Sequence, residues 1–383
     1  MDNKISILSI ESVSPLGVDY NTIWTNYLSS NHYITEKVID NTTAFVAPLN
    51  ATEEKLLTEL RLSNSKYKKL DDTVLLAILA SRQAIAKTNW TTQDTIGLNI
   101  GSSRGATKLF EDYHKNYIQG DKVNTLASPT TTLGNISSWV AHDLQTKGPN
   151  LSHSIACSTG LHSLLNGIAW LNSGMSDKFM IGASESPLTG FTIAQMKALK
   201  IYGLTPQDFP CQALDTQKSK NSMILGTASS IACLEKGESK AALAHIIGYG
   251  FSTEPLEHNV SISTNADCLQ DSMRMALKDI SPSEVDIIVT HTPGTIKGDQ
   301  SELNAISKVF GDHPPQLTCN KWKVGHTFAT SGLLSLQLAV MMLEKQTFIP
   351  VPYLDYVKPK QIKTILINAV GFGGNAVSIL LTK

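Results

Sequence analysis

Ser154-Ile155-Ala156-Cys157-Ser158-Thr159-Gly160 lies between the run Gly148-Pro149-Asn150 and a long apolar segment, Leu161 to Leu171, that reads as a helix. A cysteine here marks a strand-to-helix junction. Its thiol points at the unpaired N–H groups of the helix's first turn, and the macrodipole there favours the thiolate, the nucleophilic form. A free cysteine is as commonly a small buried hydrophobe, so the segment alone does not settle chemistry. It does point to a kind of fold. Phe179 to Ala183 follows as a strand, so helix and buried strand alternate next to Cys157.

The alternation extends in both directions. Ile5 to Ile10 reads as a short buried strand, followed by the turn Ser14-Pro15-Leu16-Gly17 and a helix near Tyr20 to Leu28. Residues 50–87 are helical in pattern, and Thr95 to Ile100 is a strand closed by Gly101-Ser102-Ser103-Arg104-Gly105. Thr132 to Leu144 reads as a helix, and residues 204–214 as loop. Met223 to Leu225 and Ile231 to Leu234 are short strand-like runs, ended by the polar break Glu235-Lys236-Gly237-Glu238-Ser239-Lys240. Beyond it come strands at Ala244 to Tyr249 and Val285 to Thr290, with a helix at Ala266 to Leu277 between them. An apolar helix at Leu333 to Leu343 precedes the last strands, Thr364 to Asn368 and Ala376 to Leu381. Strands interleaved with buried helices imply an α/β architecture with covered sheets.

Composition narrows the class further. The 383 residues are 42% hydrophobic and 17% charged, as expected of a globular chain long enough for two core-bearing halves. A net charge of -1 gives no global attraction to nucleic acid or an acidic membrane surface. The five cysteines (157, 211, 233, 268 and 319) are widely spaced, without a CxxC pair. That argues against a disulfide framework and a structural zinc site. With no secretory signal and no transmembrane-length apolar run, the expected location is the cytoplasm.

Three downstream segments carry chemistry. In Val289-Thr290-His291-Thr292-Pro293-Gly294-Thr295-Ile296-Lys297-Gly298-Asp299-Gln300-Ser301-Glu302, a histidine follows a buried strand, where α/β folds gather their sites. In Lys321-Trp322-Lys323-Val324-Gly325-His326-Thr327, a second histidine ends an element, and Ala329-Thr330-Ser331-Gly332 then allows close helix approach. In Ala369-Val370-Gly371-Phe372-Gly373-Gly374-Asn375, glycines around one Phe let the backbone flex and come close to another segment.

Together these segments make the chain resemble the β-ketoacyl synthases of the thiolase-like condensing-enzyme superfamily, in their elongating Cys-His-His form. The likeness rests on Ala156-Cys157, on His291 to Asp299 with Glu302, on Lys321 to His326, on Gly371 to Gly374, and on Val13-Ser14-Pro15-Leu16-Gly17 with Trp24. It runs essentially end to end. It implies a five-layered αβαβα fold built from two similar halves, residues 1–236 carrying the nucleophile and residues 237–383 both histidines. The implied reaction is a decarboxylative Claisen condensation without metal or other cofactor. Cys157 holds the acyl chain as a thioester. His291 and His326 donate to the enolate oxygen left when malonyl thioester loses CO₂. The backbone N–H groups of Cys157 and Phe372 form the oxyanion site, and Gly371, Phe372 and Gly373 form a mobile gate. Lys321 orients His326 through a hydrogen-bond network with Glu302.

The resemblance also implies an acyl carrier protein, acyl- or malonyl-loaded, as partner. It is expected to dock on the basic cluster Lys66, Lys68 and Lys69, although a charge run also suits a solvated face. A homodimer is the default and a heterodimer stays open, with Phe179 to Ala183 resembling the strand paired across the two-fold. The chain departs from the family in three places. His291-Thr292-Pro293-Gly294-Thr295 stands for His-Gly-Thr-Gly-Thr. Lys220 to Ser230 lacks the usual acidic residues and two glycines, and Gly-Gly-Asn stands for Gly-Gly-Thr-Asn. These changes suit a specialised synthase, such as one of aryl-polyene type, better than ordinary fatty-acid elongation. Gly371 to Asn375 lacks the second cysteine of a degradative thiolase, and His326 stands where a priming synthase has Asn. The remaining alternative is a chain-length-factor-like subunit that shapes a partner's tunnel without catalysing.

Overall fold

The structure is a computed structural model that describes residues 4–91, 93–256, 262–278 and 280–383. The chain begins with β1 (Ile5–Val13), α1 (Tyr20–Leu28), β2 (Thr35–Ile39), β3 (Thr42–Ala47), α2 (Ala51–Ser63), α3 (Asp72–Ala86) and β4 (Ile96–Gly101). It continues through α4 (Thr107–Ile118), α5 (Ala127–Thr131), α6 (Asn135–Leu144), β5 (Asn150–Leu151), α7 (Thr159–Ser173), β6 (Lys178–Glu185) and α8 (Gly190–Ala198). Then follow β7 (Leu225–Gly226), β8 (Ala228–Lys236), β9 (Ala244–Thr253), α9 (Asp267–Leu277), β10 (Ile287–Val289) and α10 (Ile296–Phe310). The last elements are β11 (Gln316–Thr318), α11 (Lys321–Val324), α12 (Ser331–Lys345), β12 (Thr364–Gly371) and β13 (Asn375–Thr382).

Ten strands form one sheet in the order β11-β10-β12-β13-β9-β1-β8-β6-β4-β5. The order hides a repeat. Reading outward from the β1–β9 junction, each half has two antiparallel pairings followed by two parallel ones. Side-chain alternation along the strands separates the layers. Ile365, Ile367 and Ala369 of β12 enter a central core, whereas Leu366 and Val370 face an outer one. Phe179, Ile181 and Ala183 of β6 enter the same central core, and Met180 faces the outer layer of α3 and α6. The central core holds α7 and α12 between the two half-sheets, and α9 and α10 cover the far side. This is the expected αβαβα layering. Being covered on both faces explains why α12 is buried at every residue from Ser331 to Leu343.

Local chemistry sets the boundaries. The helical pattern read over residues 50–87 is two helices, each started by its own cap. Asn50 and Glu53 make a capping box on α2, and the Asp71 side chain accepts from the N–H of Thr73 on α3. The expected dimer strand is a correction. Phe179 to Ala183 belongs to β6, whose two edges are taken by β4 and β8, so it has no hydrogen-bonding edge to offer a partner. The open edge on that side is β5, both of whose residues are exposed.

Candidate active site

Cys157, His291 and His326 reach one place from three chain crossings. Cys157 follows β5, His291 follows β10, and His326 follows β11 and α11, all beyond the carboxyl ends of parallel strands. The three line a single cavity of about 470 Å³, together with Phe372, Gly371 and Phe328. The two imidazoles meet edge to face with ring centroids 5.3 Å apart.

The nucleophile's bend is built by the backbone. Ala156 takes φ 44, and the N–H groups of Ser158 and Thr159 donate back to the carbonyls of Ile155 and Ala156. The Ala156 carbonyl also accepts the Ser103 hydroxyl at 2.7 Å. Gly371 must be glycine here. A methyl on it would sit 2.8 Å from the Ile155 carbonyl and 3.2 Å from the Cys157 nitrogen. The glycine-rich tail therefore presses directly on the nucleophile's loop, with Gly373 at φ 101 and Phe372 partly exposed beside the cavity.

His291 is held by Glu302, in the second turn of α10. Glu302 Oε1 accepts from the His291 N–H at 2.9 Å and Oε2 from the Thr292 N–H at 2.7 Å. Asn368 of β12 adds a third donor to Oε1, at 3.1 Å. The expected hydrogen-bond network between Lys321 and Glu302 is a second correction. Among the described residues no hydrogen bond or ion pair joins them, and their interaction is a charge attraction between two buried groups. His326 is fixed by its backbone, which donates to the Ile224 carbonyl at 2.6 Å and accepts from the Gly226 N–H at 3.2 Å. So the divergent stretch Lys220 to Ser230 includes the support for the second histidine.

Electrostatics decide the protonation states. Burial pushes both imidazoles well below the usual histidine range, and the Lys321 ammonium lowers them further. Both are neutral at pH 7, and each Nδ1 is buried without a hydrogen-bond partner among the described residues. Burial lowers Lys321 itself, opposed by Cys319, Glu302, Cys211 and Asp299. Burial, then Glu185, pushes the Cys157 thiol up to about 12, against the pull of Lys321. The expected thiolate is thus opposed at rest: desolvation outweighs the positive groups around the sulfur.

The sequence reading missed two groups near the nucleophile. Glu185 ends β6, accepts from the Ser103 N–H, and has its pKa raised to about 7 by burial. Asn221 donates its amide to the Lys200 carbonyl and accepts from the Ile296 N–H, both at 2.8 Å. A carboxylate could not do both, which accounts for an amide where the family has an acid. The changed loop after His291 is tied by Asp299, which accepts from the N–H groups of Gly294 and Leu214 and pairs with buried Lys218 at 2.8 Å. Lys66, Lys68 and Lys69 lie on the turn after α2, and none lines the cavity.

No helix among the described residues is long and apolar enough to cross a membrane. Residues 2–240 match the model of the β-ketoacyl synthase N-terminal domain, and residues 243–355 that of its C-terminal domain. The chain is 25% identical to 3-oxoacyl-[acyl-carrier-protein] synthase 2 of Staphylococcus aureus (strain COL), over 100% of this chain and 99% of that one. Among solved structures, the ishigamide ketosynthase/chain length factor superposes with a TM-score of 0.88 at 19% identity, covering 100% of both chains. A type II polyketide synthase acyl-carrier protein in complex with its ketosynthase bound to the hexaketide matches with a TM-score of 0.86 at 20% identity, again over 100% of both chains. Two domain models in tandem, a full-length relative and a Cys-His-His cavity agree, and the chain belongs to the β-ketoacyl synthase family of thiolase-like condensing enzymes.

Proposed function

We propose that this chain is an active β-ketoacyl-[acyl-carrier-protein] synthase of fatty-acid, polyketide or aryl-polyene type. The observation that supports it best is that Cys157, His291 and His326 line one cavity with both imidazoles neutral. In the first half-reaction the Cys157 sulfur attacks an acyl thioester, the carrier thiol leaves, and the thiol proton passes to it. Malonyl thioester then loses CO₂, and its electron pair becomes an enolate. Each neutral imidazole keeps one N–H to donate to that oxygen, and both rings are buried, where such a hydrogen bond is stronger than in water. The carbon attacks the acyl carbonyl, and the tetrahedral oxyanion collapses to release Cys157. Lys321 adds to burial in lowering both rings, and it lowers the energy of the sulfur anion. Glu302 positions His291 through its backbone, and the tail at Gly371, Phe372 and Gly373 closes over the thioester.

We further propose that the protein pairs with a second ketosynthase-fold chain, a copy of itself or a related subunit, along the open β5 edge. In the same half, Phe110, Tyr117 and Ile118 of α4 and Leu126 before α5 are exposed. A purely tunnel-shaping, chain-length-factor-like role is the competing reading. The deciding experiment incubates the protein with a panel of acyl-carrier thioesters and weighs the peptide containing Cys157. An acyl mass on that peptide, absent in Cys157→Ala, is expected. No adduct with any thioester overturns the catalytic reading and favours the tunnel-shaping one.

A further inference from the structure

Glu185 is a fully buried acid near the nucleophile, and the reaction outlined above makes no use of it. It ends β6, where the neighbouring β8 sets Ala228 opposite it. Ser103, in the loop after β4, donates its N–H to Glu185 Oε1 and its hydroxyl to the Ala156 carbonyl at 2.7 Å. The Ser103 carbonyl in turn accepts the Ser154 hydroxyl at 3.2 Å. One serine therefore ties the carboxyl to the segment that carries Cys157.

Two buried acids of the site differ in their partners. Glu302 spreads its charge over the amides of His291, Thr292 and Asn368. Glu185 Oε2 is buried with no hydrogen-bond partner among the described residues. The nearby hydroxyls of Ser102 and Ser103 and the Ala329 N–H favour its charge, but burial outweighs them and brings its ionisation to neutral pH. The groups that face it from β8, from the loop after β4 and from the turn before α12 carry no charge. Cys157 is the titratable group that faces it. Around the sulfur stand Lys321, which favours the thiolate, and the neutral rings of His291 and His326.

We propose that Glu185 is a charge gate on the nucleophile: the ionised carboxylate holds Cys157 as the thiol, and the protonated acid lets the sulfur ionise under the pull of Lys321. Two negative charges buried together repel, so a proton on one favours charge on the other. Glu185 acts through the sulfur and not on substrate, which makes it a positioning residue; its place in the reaction rests on the synthase reading. The gate restrains the resting thiol as pH rises, where a free thiolate would meet stray electrophiles and oxidants.

The sign of the coupling gives the test. While Glu185 is protonated, the thiolate fraction climbs about tenfold per pH unit. As the carboxylate forms, its repulsion offsets the gain, and the fraction levels off before rising again. Iodoacetamide, a small neutral electrophile, reads that fraction in the full-length protein through the mass of the peptide containing Cys157. The logarithm of the alkylation rate should flatten above a pH of about 7. Glu185→Gln should remove the flattening and react about tenfold faster above it, converging with the unchanged protein in acid. A variant profile offset by the same factor at every pH would mark a structural role and overturn the proposal. So would an unbroken slope in the unchanged protein, a result that needs no variant to fold. Failure of every acyl-carrier thioester to acylate Cys157 would remove the synthase reading instead, and the alkylation profiles would still decide the gate.

Discussion

The bend at Cys157 has a twin in the other half. Between β5 and α7 the chain reads Ala156-Cys157-Ser158-Thr159-Gly160-Leu161; between β11 and α12 it reads Phe328-Ala329-Thr330-Ser331-Gly332-Leu333. Ala156 and Phe328 take φ 44 and 45, and the amides of Thr159 and Ser331 return to their respective carbonyls. The helices that follow cross at their glycines. A methyl on Gly160 would lie 2.5 Å from the Ala329 carbonyl oxygen, and one on Gly332 would lie 2.8 Å from Leu161 Cγ. One backbone device thus occurs twice about the central helix pair, and the copies carry different chemistry. The first presents a thiol to the cavity. The second presents a fully buried methyl, while the turn before it contributes His326. The shared bend supplies the frame in both halves, and the site depends on the different side chains the two copies carry.

The comparison can be broken at its most sensitive point. Cys157→Ala makes the first bend a copy of the second, and should lower condensation by on the order of 10³-fold or more while leaving the thermal midpoint nearly unchanged. Ala329→Cys in that background should recover nothing, since its side chain is buried away from the cavity; an acyl adduct recovered on the peptide spanning position 329 would show the bends to be interchangeable. The glycine crossing is next. Gly160→Ala forces a methyl onto backbone and should cost about 2–3 kcal/mol in urea unfolding. Gly332→Ala meets a leucine side chain that can shift, so it should cost about 1 kcal/mol. Equal losses would mean that the two sides of the crossing are packed alike. The smallest effect concerns charge. Lys321→Met removes one of the causes that lower both histidines, so their pKa values should rise while burial still holds them below the ordinary range. Protonation would place a full positive charge on these buried rings, which desolvation opposes, and would disturb the site, so activity is lost as pH falls through those values. The acid limb of the single-turnover pH profile should therefore move to higher pH in the variant, and an unmoved limb would separate Lys321 from both rings.

How far the sequence could be read follows from where each residue's partners lie. The strands covered on both faces were legible because burial makes them continuous apolar runs, as in Ile365 to Ile367. The three motifs were legible because each keeps its chemistry within a few residues. The hairpin of β2 and β3 escaped notice although Asp40 and Asn41, both at positive φ, supply a turn signal between its strands. Its first strand is exposed and carries little apolar pattern. Helix α4 escaped because Phe110, Tyr117 and Ile118 face solvent, so its apolar residues do not mark a core. Glu185 and Asn368 could not be found at all, since only sheet pairing and layering bring them to the site. The resting state of Cys157 was misjudged for a related reason: a helix start is visible in sequence, but the desolvation that opposes it is not.

One joint in the sheet has a consequence for how the molecule comes into being. β1 is hydrogen-bonded on one side to β8, with Ile5 opposite Lys236, and on the other to β9, with Ile5 opposite Ile246. β1 is thus the hinge-pin of the sheet, and both its neighbours lie far downstream of it in the chain. Contacts so distant in sequence make folding slow and leave a hydrophobic strand unpaired on the nascent chain, open to chaperones or to misassociation. Once made, the same joint hydrogen-bonds a strand of each half to β1, so separating the two half-sheets there means unstitching β1 from β8 or β9.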